Sequence, residues 1–414
     1  MDKTKSLLII NGSFPIELRE NSLFMRDGSS AYSIAIATGL KDKYRVTILS
    51  PGPAGRFTYG GISFVTWGGQ SQSQNKAGNW DFWRRNLRSI LKNNFDLIIV
   101  QSGVTFFLSI ISDVLPAHCI GVIHDTYPEN FGFLINFGRD VWMKRSRKLD
   151  LVLSANEDGC RRLVEKYKHE PHKVHFTGNG VDIGLFDFSL VKEDLVAFIG
   201  RLVRPKGVME LLQAFDPWLK ENRKAKLVLI GNGILYQDLA GYVAKNQLNG
   251  QVEILTDLND REKIAVLKRA KIYVSLSQFE GFGIPLVEGM ASGAVPIVSD
   301  ITAHRFVFQD RDVGFLVKDS QELIAKVDFL WKNEAARRGL ASRGRRLVEE
   351  VWTWEKMKER CERALTYLRD KDISSSLSQR IKRPVKIGLL KALVSVLYFV
   401  LVRKRFFRFA NDGK

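Results

Sequence analysis

Short apolar runs alternate with amphipathic stretches along the first half of the chain. The stretches between them, such as SSAYSIAIATGLKDK and WDFWRRNLRSILKNN, have the apolar spacing of helices. Near-continuous apolar strands separated by helices predict a parallel sheet that is covered on both faces. The predicted strands are SLLII (6–10), YRVTIL (44–49), ISFVTW (62–67), DLIIVQ (96–101), CIGVIH (119–124) and LVLSAN (151–156).

The same pattern restarts after a polar-aromatic connector and predicts a second α/β domain, followed by a helical region from SQELIAK onward. We therefore predict two doubly wound, Rossmann-like domains facing a cleft, with residues 1–178 and 193–350 joined by a linker over 179–192. In such sheets the ligand sites lie in loops at the carboxyl ends of the strands. The second set of predicted strands is LVAFIG (195–200), AKLVLIG (225–231), VEILT (252–256), KIYVSLS (271–277), VPIVSD (295–300) and VGFLVK (313–318).

The loop after the first strand of the second domain is basic. Arg201 and Lys206 flank a turn that Pro205 stiffens, and Gly207 precedes the next helical pattern. A diphosphate leaving group needs cations and free backbone donors, which this strand–loop–helix segment supplies. The alternative is that both side chains are merely solvated.

The segment EGFGIPLVE carries two glutamates in a second strand–loop–helix unit. Gly281 and Gly283 leave backbone N–H groups open, Pro285 suits a first helical turn, and Glu288 is expected on that first turn. Glu280 lies in the loop before it, so both carboxylates are expected to face one ligand that carries hydroxyls at two places. The alternative makes Glu288 a dipole-complementing acid and Glu280 a solvated one.

Candidate residues of the first domain are fewer. His124 and Asp125 lie where a predicted strand ends and a cleft loop is expected to begin, and a histidine there could act as a general base or bind a sugar hydroxyl. The alternative is a buried histidine satisfied by the backbone. Gly12, Gly28 and Ser29 lie in the stretch that joins the first strand to the first helix, and they are candidates for a phosphate or acceptor contact.

Several site classes are absent from the sequence. It contains no P-loop, no complete G-x-G-x-x-G after the first strand, no H-E-x-x-H and no C-x-x-C. The cysteines at 119, 160 and 361 are far apart and are expected to be reduced thiols. We expect no metal and no cofactor. The N-terminal apolar run is too short for a signal peptide, which favours a cytoplasmic enzyme.

Four motifs together resemble the retaining glycosyltransferases of the GT-B fold, specifically the family 4 (group 1) class that includes bacterial polysaccharide and lipopolysaccharide enzymes. They occur in the family's order within residues 1–370, and the helix over 351–372 is then expected to cross back to the first domain. The RDGSSAYS stretch departs from the Gly-Gly pair that many relatives carry at the first helix. The motifs are GNGVD, GRLVRPKG, EGFGIPLVEGMASGAVPIVSD and WTWEKMKERCERAL.

The resemblance implies a role for each matching residue and a nucleotide sugar as co-substrate, without a metal. Glu280 as a covalent nucleophile is the alternative to sugar binding. A nucleotide-sugar epimerase and an inactive membrane-associated adaptor are the competing functions. The implied roles are sugar hydroxyls for Glu280, nucleotide ribose for Glu288, diphosphate for Arg201 and Lys206, donor contacts for Gly200, Gly281 and the backbone of Phe282, Gly283 and Ile284, and proximity to the reacting carbon for His124.

The formal charge of +18 is concentrated at the C-terminus, where residues 371–414 hold eleven Lys and Arg against two Asp. Within 380–414, basic residues flank the apolar run ALVSVLYFVLV, which is shorter than a bilayer span. This composition predicts a helix on an anionic membrane surface, although packing on protein or a short tilted span are alternatives. We thus expect a peripheral enzyme on the inner face of the cell membrane, with a glycan or lipid-linked acceptor and no nucleic-acid partner.

Overall fold

A computed structural model describes two compact units along the chain. The units comprise Met1–Ala155, Gly159–Thr177 and Lys358–Lys414 in unit 1, and Asn156–Asp158 and Gly178–Met357 in unit 2. The segment 179–192, expected as a linker, therefore groups with unit 2. The described residues are 5–11, 16–19, 22–25, 28–66, 90, 93, 95–101, 108–109, 112, 115, 117–124 and 140–370.

The sheet of unit 1 has eight strands in the order β10-β9-β8-β7-β1-β4-β6-β5, with a separate hairpin of β2 and β3. The strands are β1 Ser6–Ile10, β2 Ile16–Arg19, β3 Ser22–Met25, β4 Arg45–Ser50, β5 Gly55–Tyr59, β6 Ile62–Thr66, β7 Leu97–Gln101, β8 His118–Ile123, β9 Leu151–Ser154 and β10 Val174–Phe176. The helices α1 Gly28–Leu40 and α2 Glu157–Glu165 follow β3 and β9 in the chain. The central strands β1 and β7 are buried at every position, as their continuous apolar sequences predict.

Strand β5 was not predicted from the sequence. It pairs antiparallel with β6 across a two-residue turn at Gly60 and Gly61, whose φ angles are 56° and 81°. Positive φ at both positions is the geometry of a tight hairpin turn that matches the strand twist. Because β5 lies at the sheet edge and is largely exposed, its sequence GRFTY lacks the apolar signal of the inner strands.

The sheet of unit 2 is wholly parallel, with the strand order β13-β12-β11-β14-β15-β16. Its strands are β11 Leu195–Ile199, β12 Lys226–Ile230, β13 Val252–Leu255, β14 Ile272–Ser275, β15 Val295–Ser299 and β16 Phe315–Val317. The helices are α3 Val208–Glu221, α4 Tyr236–Lys245, α5 Asp260–Arg269, α6 Ile284–Ser292, α7 Thr302–Phe308, α8 Ser320–Lys332 and α9 Glu334–Val351. The last helix, α10 Trp354–Asp370, begins in unit 2 and belongs to unit 1 from Lys358 onward.

This order places a topological switch point between β11 and β14. The chain proceeds from β11 outward to β12 and β13, and then returns to the other side of β11 with β14. Loops that leave two neighbouring strands in opposite directions open a crevice at their carboxyl ends, which is where ligands bind in such sheets. The apolar faces of the strands and of α3 and α8 form one buried cluster below that edge, with Phe198, Phe215 and Val327 fully buried.

The start of α6 differs from the expectation. The helix begins at Ile284, so Glu288 is its fifth residue and the first turn contains no acidic side chain. Gly283 makes this early start possible because its φ of 95° turns the chain directly into the helix. The prediction that Glu288 lies on the first turn is therefore wrong, and so is its alternative role as a dipole-complementing acid.

The stretch between β1 and α1 also differs from the expected plain connection. It contains the β2–β3 hairpin, in which Ile16 pairs with Met25. Gly28 and Ser29 are the first two residues of α1 and do not belong to a preceding loop. Gly12 lies outside the described residues.

None of the helices within the described residues is long and apolar enough to cross a membrane. The predicted membrane-association segment, residues 380–414, lies outside the described part of the chain.

Candidate functional site

The loops after β11 and β14 meet directly at the switch point. The N–H of Gln278 donates to the carbonyl oxygen of Pro205 at 2.9 Å. Gly207 has a φ of 63°, and a Cβ at that position would lie 2.4 Å from the carbonyl oxygen of Leu276. Any side chain at residue 207 would thus force the two loops apart, so glycine is required for their contact.

A third loop, after β12, supports the first. The N–H of Leu202 donates to the Asn232 carbonyl oxygen at 2.9 Å. A Cβ on Gly231 would lie only 1.8 Å from the carbonyl oxygen of Gly200, and Gly231 has a φ of 150°. The GNG segment at 231–233 lacks the complete dinucleotide pattern, but these contacts show that it positions the backbone around Arg201.

Lys206 and Glu280 form an ion pair between the two main loops. The distance from Lys206 Nζ to Glu280 Oε1 is 2.6 Å, and both side chains are largely buried. The hydroxyl of Ser277 donates to the same oxygen at 2.8 Å. Within the described part of the chain Glu280 Oε2 has no hydrogen bond, so one carboxylate oxygen is held in place and the other is available to a ligand.

Arg201 differs from Lys206 in its surroundings. Its side chain is exposed, and it forms no ion pair with any residue that the structure describes. The two cations therefore have separate capacities. Lys206 orients Glu280, while Arg201 keeps all its donors for an incoming anion.

The N-terminus of α6 adds backbone donors to this edge. Gly283 precedes the helix without a side-chain cap, and Pro285 stands within its first two positions. Because the first N–H groups of a helix have no intrahelical acceptor, that of Ile284 can bind an anion. The side chain of Phe282 is buried against Phe306 and Trp352, with ring centroids 6.5 and 5.1 Å away, so only its backbone lines the turn.

Glu288 is buried, and its partner was not predicted from the sequence. Lys263 Nζ lies 2.7 Å from Glu288 Oε1 and 3.0 Å from Asp260 Oδ1. Burial alone would lower the pKa of Lys263, but the two carboxylates outweigh it and raise that pKa. Lys263 is thus a charged group that pairs with Glu288 inside the protein.

The start of α5 explains how Lys263 reaches this position. Asn259 and Glu262 form a reciprocal capping box, with Glu262 N–H donating to Asn259 Oδ1 at 3.0 Å and Asn259 N–H donating to Glu262 Oε2 at 2.8 Å. This box sets the first residue of the helix and hence the direction of Lys263. The N-x-x-E spacing in the sequence was the available signal, although it does not reveal that Lys263 pairs with a residue on another helix.

Tyr273 on β14 lies within electrostatic reach of both glutamates. Burial raises the pKa of its hydroxyl well above the usual value, and the charges of Glu280 and Glu288 raise it further. The charges of the two carboxylates therefore act on one buried hydroxyl.

His124 lies in unit 1, just after β8. Its Nε2 is 3.0 Å from Gln101 Oε1, and the amide of Gln101 donates to the Ser33 hydroxyl at 2.6 Å. The ring of Tyr32 meets the imidazole edge-to-face, with centroids 4.7 Å apart. Burial lowers the pKa of His124 to about 4, so the ring is neutral near pH 7. The hydrogen-bond partner described for His124 is thus the side chain of Gln101.

Asp125, the second candidate at this strand end, lies outside the described residues. Among the described residues, no group of three or more His, Cys, Asp or Glu side chains could hold a metal ion.

Two family models match the chain in succession. Residues 26–185 match the model described as glycosyltransferase family 4, and residues 187–347 match the model described as glycosyl transferases group 1. The second match contains the whole edge formed by Arg201, Lys206, Lys263, Glu280 and Glu288. The first contains His124.

Curated relatives match part of the chain. A GDP-mannose:cellobiosyl-diphosphopolyprenol alpha-mannosyltransferase from Xanthomonas oryzae is 29% identical over 53% of this chain and 60% of its own length. A phosphatidyl-myo-inositol mannosyltransferase from Mycobacterium tuberculosis is 33% identical over 34% of this chain and 38% of its own length. The chain thus spans between 38% and 60% of the length of these two relatives.

A solved structure shares the fold over most of the chain. The sucrose-phosphate synthase from Thermosynechococcus elongatus superposes with a TM-score of 0.74, covering 88% of this chain and 99% of that one at 14% identity. The predicted α/β class with two Rossmann-like domains of the GT-B type is confirmed.

Proposed function

We propose, from the chain's membership of the group 1 and family 4 glycosyltransferases, that it moves a sugar from a nucleotide-sugar donor to a lipid-linked saccharide acceptor. We further propose that the anomeric configuration is retained. The observation that carries the proposal is the edge at the β11–β14 switch point, where Arg201, the Lys206–Glu280 pair and the start of α6 converge.

The leaving diphosphate is the first requirement of this reaction. As the bond from the anomeric carbon to the phosphate oxygen breaks, negative charge grows on the diphosphate. Arg201 and the N–H of Ile284 meet that charge, and Lys206 adds to the positive field. Each preorganised donor of this kind lowers the activation barrier by about 3 kcal/mol, judged by the cost of removing one.

The two glutamates then divide the rest of the donor. The free Oε2 of Glu280 accepts a hydrogen bond from a hydroxyl of the transferred sugar, because Lys206 and Ser277 already hold Oε1. Glu288, held in place by Lys263, accepts hydrogen bonds from hydroxyls of the nucleotide ribose. In a retaining transfer the acceptor hydroxyl attacks from the face that the diphosphate leaves, and its proton passes to a departing phosphate oxygen. No step requires a metal, so we expect activity to survive EDTA.

The acceptor side of the proposal rests on the named relatives. The Xanthomonas relative is named for a diphosphopolyprenol acceptor and the mycobacterial one for a phosphatidylinositol. Both are lipids, which fits the basic and apolar composition of residues 380–414 and a peripheral position on the inner face of the membrane. Truncation after Leu377 should preserve donor binding and abolish sedimentation with anionic liposomes. If the truncated chain binds liposomes as strongly as the full chain, residues 380–414 do not dock the protein on the membrane.

A panel of nucleotide sugars tests the function. A donor at 100 times its dissociation constant adds about 2.7 kcal/mol of apparent stability, so a thermal-shift screen of the full chain should identify it. The selected donor is then incubated with polyprenyl-diphosphate-linked saccharides, and the products are analysed by mass spectrometry and by NMR of the new anomeric centre. Isomerised donor without acceptor would indicate an epimerase. No stabilisation by any nucleotide sugar would indicate an inactive adaptor.

A further inference from the structure

His304 is a buried side chain at the same edge of unit 2 that the proposed function does not use. It lies on α7 and is 1% exposed. Its Nδ1 is 2.7 Å from the carbonyl oxygen of Ser299. Because a carbonyl oxygen only accepts hydrogen bonds, Nδ1 carries the proton and donates it. In the neutral ring Nε2 therefore presents a lone pair.

That lone pair is uncommitted in the described structure. The described residues offer no hydrogen-bond partner to Nε2. The ring lies beside the glycine turn before α6, since the point that a Cβ on Gly283 would occupy lies 3.8 Å from Nε2. No side chain of the turn fills this space, because residue 283 is glycine.

The ring is tied to the Lys206–Glu280 pair through a short polar relay. The hydroxyl of Ser299 donates to the Ser277 carbonyl oxygen at 2.5 Å, and the hydroxyl of Ser277 donates to Glu280 at 2.8 Å. The imidazole and the carboxylate are thereby fixed by the same two serines, which gives them a defined relative position.

The surroundings keep the imidazole neutral. Burial lowers the pKa of His304, and Lys206 lowers it further, while the bond to Ser299 and the charges of Glu280 and Asp300 act in the opposite direction. A neutral ring whose only proton is on Nδ1 cannot donate to a phosphate oxygen from Nε2, but it can accept from a hydroxyl.

We propose that His304 is a donor-binding residue whose Nε2 accepts a hydrogen bond from a hydroxyl of the transferred sugar, beside Glu280 Oε2. This inference rests on the proposed function. The transferred sugar then has two hydrogen-bond acceptors of different kinds, the carboxylate of Glu280 and the imidazole of His304. In the sequence, Glu280 precedes the Gly281–Gly283 turn and His304 follows it. The sugar class recognised is then one with two free hydroxyls in that part of the ring.

The test is isothermal titration at pH 7.5 of the full chain with GDP-mannose and GDP, and with UDP-glucose and UDP. His304→Asn keeps an amide donor for Ser299 and lacks an atom in the place of Nε2. We expect it to bind the nucleoside diphosphate as the wild type does and to lose about tenfold of the affinity for the nucleotide sugar, as one hydrogen bond to a sugar hydroxyl would give. The exposed His172→Asn is the matched control and should change neither value.

A second measurement does not depend on a variant. In the histidine-labelled wild type, the 15N resonance of His304 Nε2 should shift on addition of the nucleotide sugar and stay in place with the diphosphate. The assignment is overturned if the sugar adds as much affinity in His304→Asn as in the wild type and the 15N resonance of His304 Nε2 does not shift. Diphosphate binding that weakens in the variant more at pH 6 than at pH 8 also overturns it, because a protonated ring would then bind phosphate. Wild-type protein that binds none of these ligands refutes the proposed function itself.

Discussion

The ammonium of Lys206 lies 2.6 Å from Oε1 of Glu280, and this ion pair joins the loop after β11 to the loop after β14. Neither residue is next to the other in sequence. The parallel order of β11 and β14 brings them together because the carboxyl ends of adjacent parallel strands share one edge. Of the two basic residues predicted to bind the diphosphate, Lys206 is engaged in this ion pair, whereas Arg201 is exposed.

Removing Arg201 should weaken anion binding without harming the fold. Since the Arg201 side chain has no ion pair with the described residues, Arg201→Ala should have the same melting temperature as the wild type. The loss of a charge-assisted hydrogen bond should lower the affinity for a nucleoside diphosphate by about tenfold or more, measured by titration calorimetry. Lys226→Ala is the control, since Lys226 starts β12 at the opposite edge of the same sheet. Equal loss in both variants would point to general charge rather than to a site.

The buried pair of Glu288 and Lys263 should be strongly coupled. Either single change, Glu288→Gln or Lys263→Met, leaves a buried charge without its main partner, although Asp260 still faces Lys263. A double-mutant cycle on the free energy of unfolding should give a coupling of about 1–3 kcal/mol. The exposed pair Arg311–Glu350 should give less than about 1 kcal/mol in the same cycle. Coupling no larger than in the exposed pair would disprove a buried interaction.

Gly207 should be irreplaceable where the loops touch. Gly207→Ala places a Cβ 2.4 Å from the backbone oxygen of Leu276 in a left-handed conformation, so it should cost at least about 2 kcal/mol of stability and reduce donor binding. Gly241→Ala, within α4 and with no atom near the new Cβ, should instead stabilise by about 0.5–1 kcal/mol. Chemical denaturation of the two variants measures both effects, and a neutral Gly207→Ala would contradict the loop contact.

Acid should destabilise unit 1 through His169. Burial lowers the pKa of this histidine to about 4, whereas the pKa of a histidine in the unfolded chain is about 6.5. Between these values the unfolded state binds a proton and the folded state does not, so stability is lost as the pH falls from about 6.5 to about 4. The loss should be roughly 3 kcal/mol at pH 4, and it should shrink in His169→Gln. The exposed His172→Gln is the control. Identical pH profiles for wild type and His169→Gln would exclude this contribution.

The sequence predicts the strands and loops that form the candidate site better than it predicts the contacts between their side chains. Strands β11 and β14 are mainly apolar, so the sequence predicts them and the loops that follow them, which carry Arg201 and Glu280. Lys263 was missed because its helix is amphipathic and charged, and nothing local indicates which of its charges faces Glu288 on another helix. The edge strand β5 and the β2–β3 hairpin were missed for a related reason, since partly exposed strands lack a continuous apolar run.

His304 was also missed, although it is buried close to the ion pair. Its segment, ITAHRF, lies just past the motif that ends at Asp300, and its proposed role depends on the bond between Nδ1 and the backbone of Ser299. Such a contact requires the geometry of the turn between β15 and α7. The position of Glu288 in α6 was predicted wrongly because the helix was expected to begin at Pro285. The left-handed conformation of Gly283 lets it begin one residue earlier, at Ile284.

The most direct measurement is a titration of the nucleoside diphosphate and its nucleotide sugar into wild type, Glu280→Gln and Glu288→Gln. Because Glu280 is assigned to the sugar and Glu288 to the ribose, Glu280→Gln should bind the diphosphate normally and lose the added affinity for the nucleotide sugar. Glu288→Gln should bind both ligands about tenfold more weakly. If both variants bind both ligands as the wild type does, the donor is not held at the β11–β14 edge and the central claim is wrong.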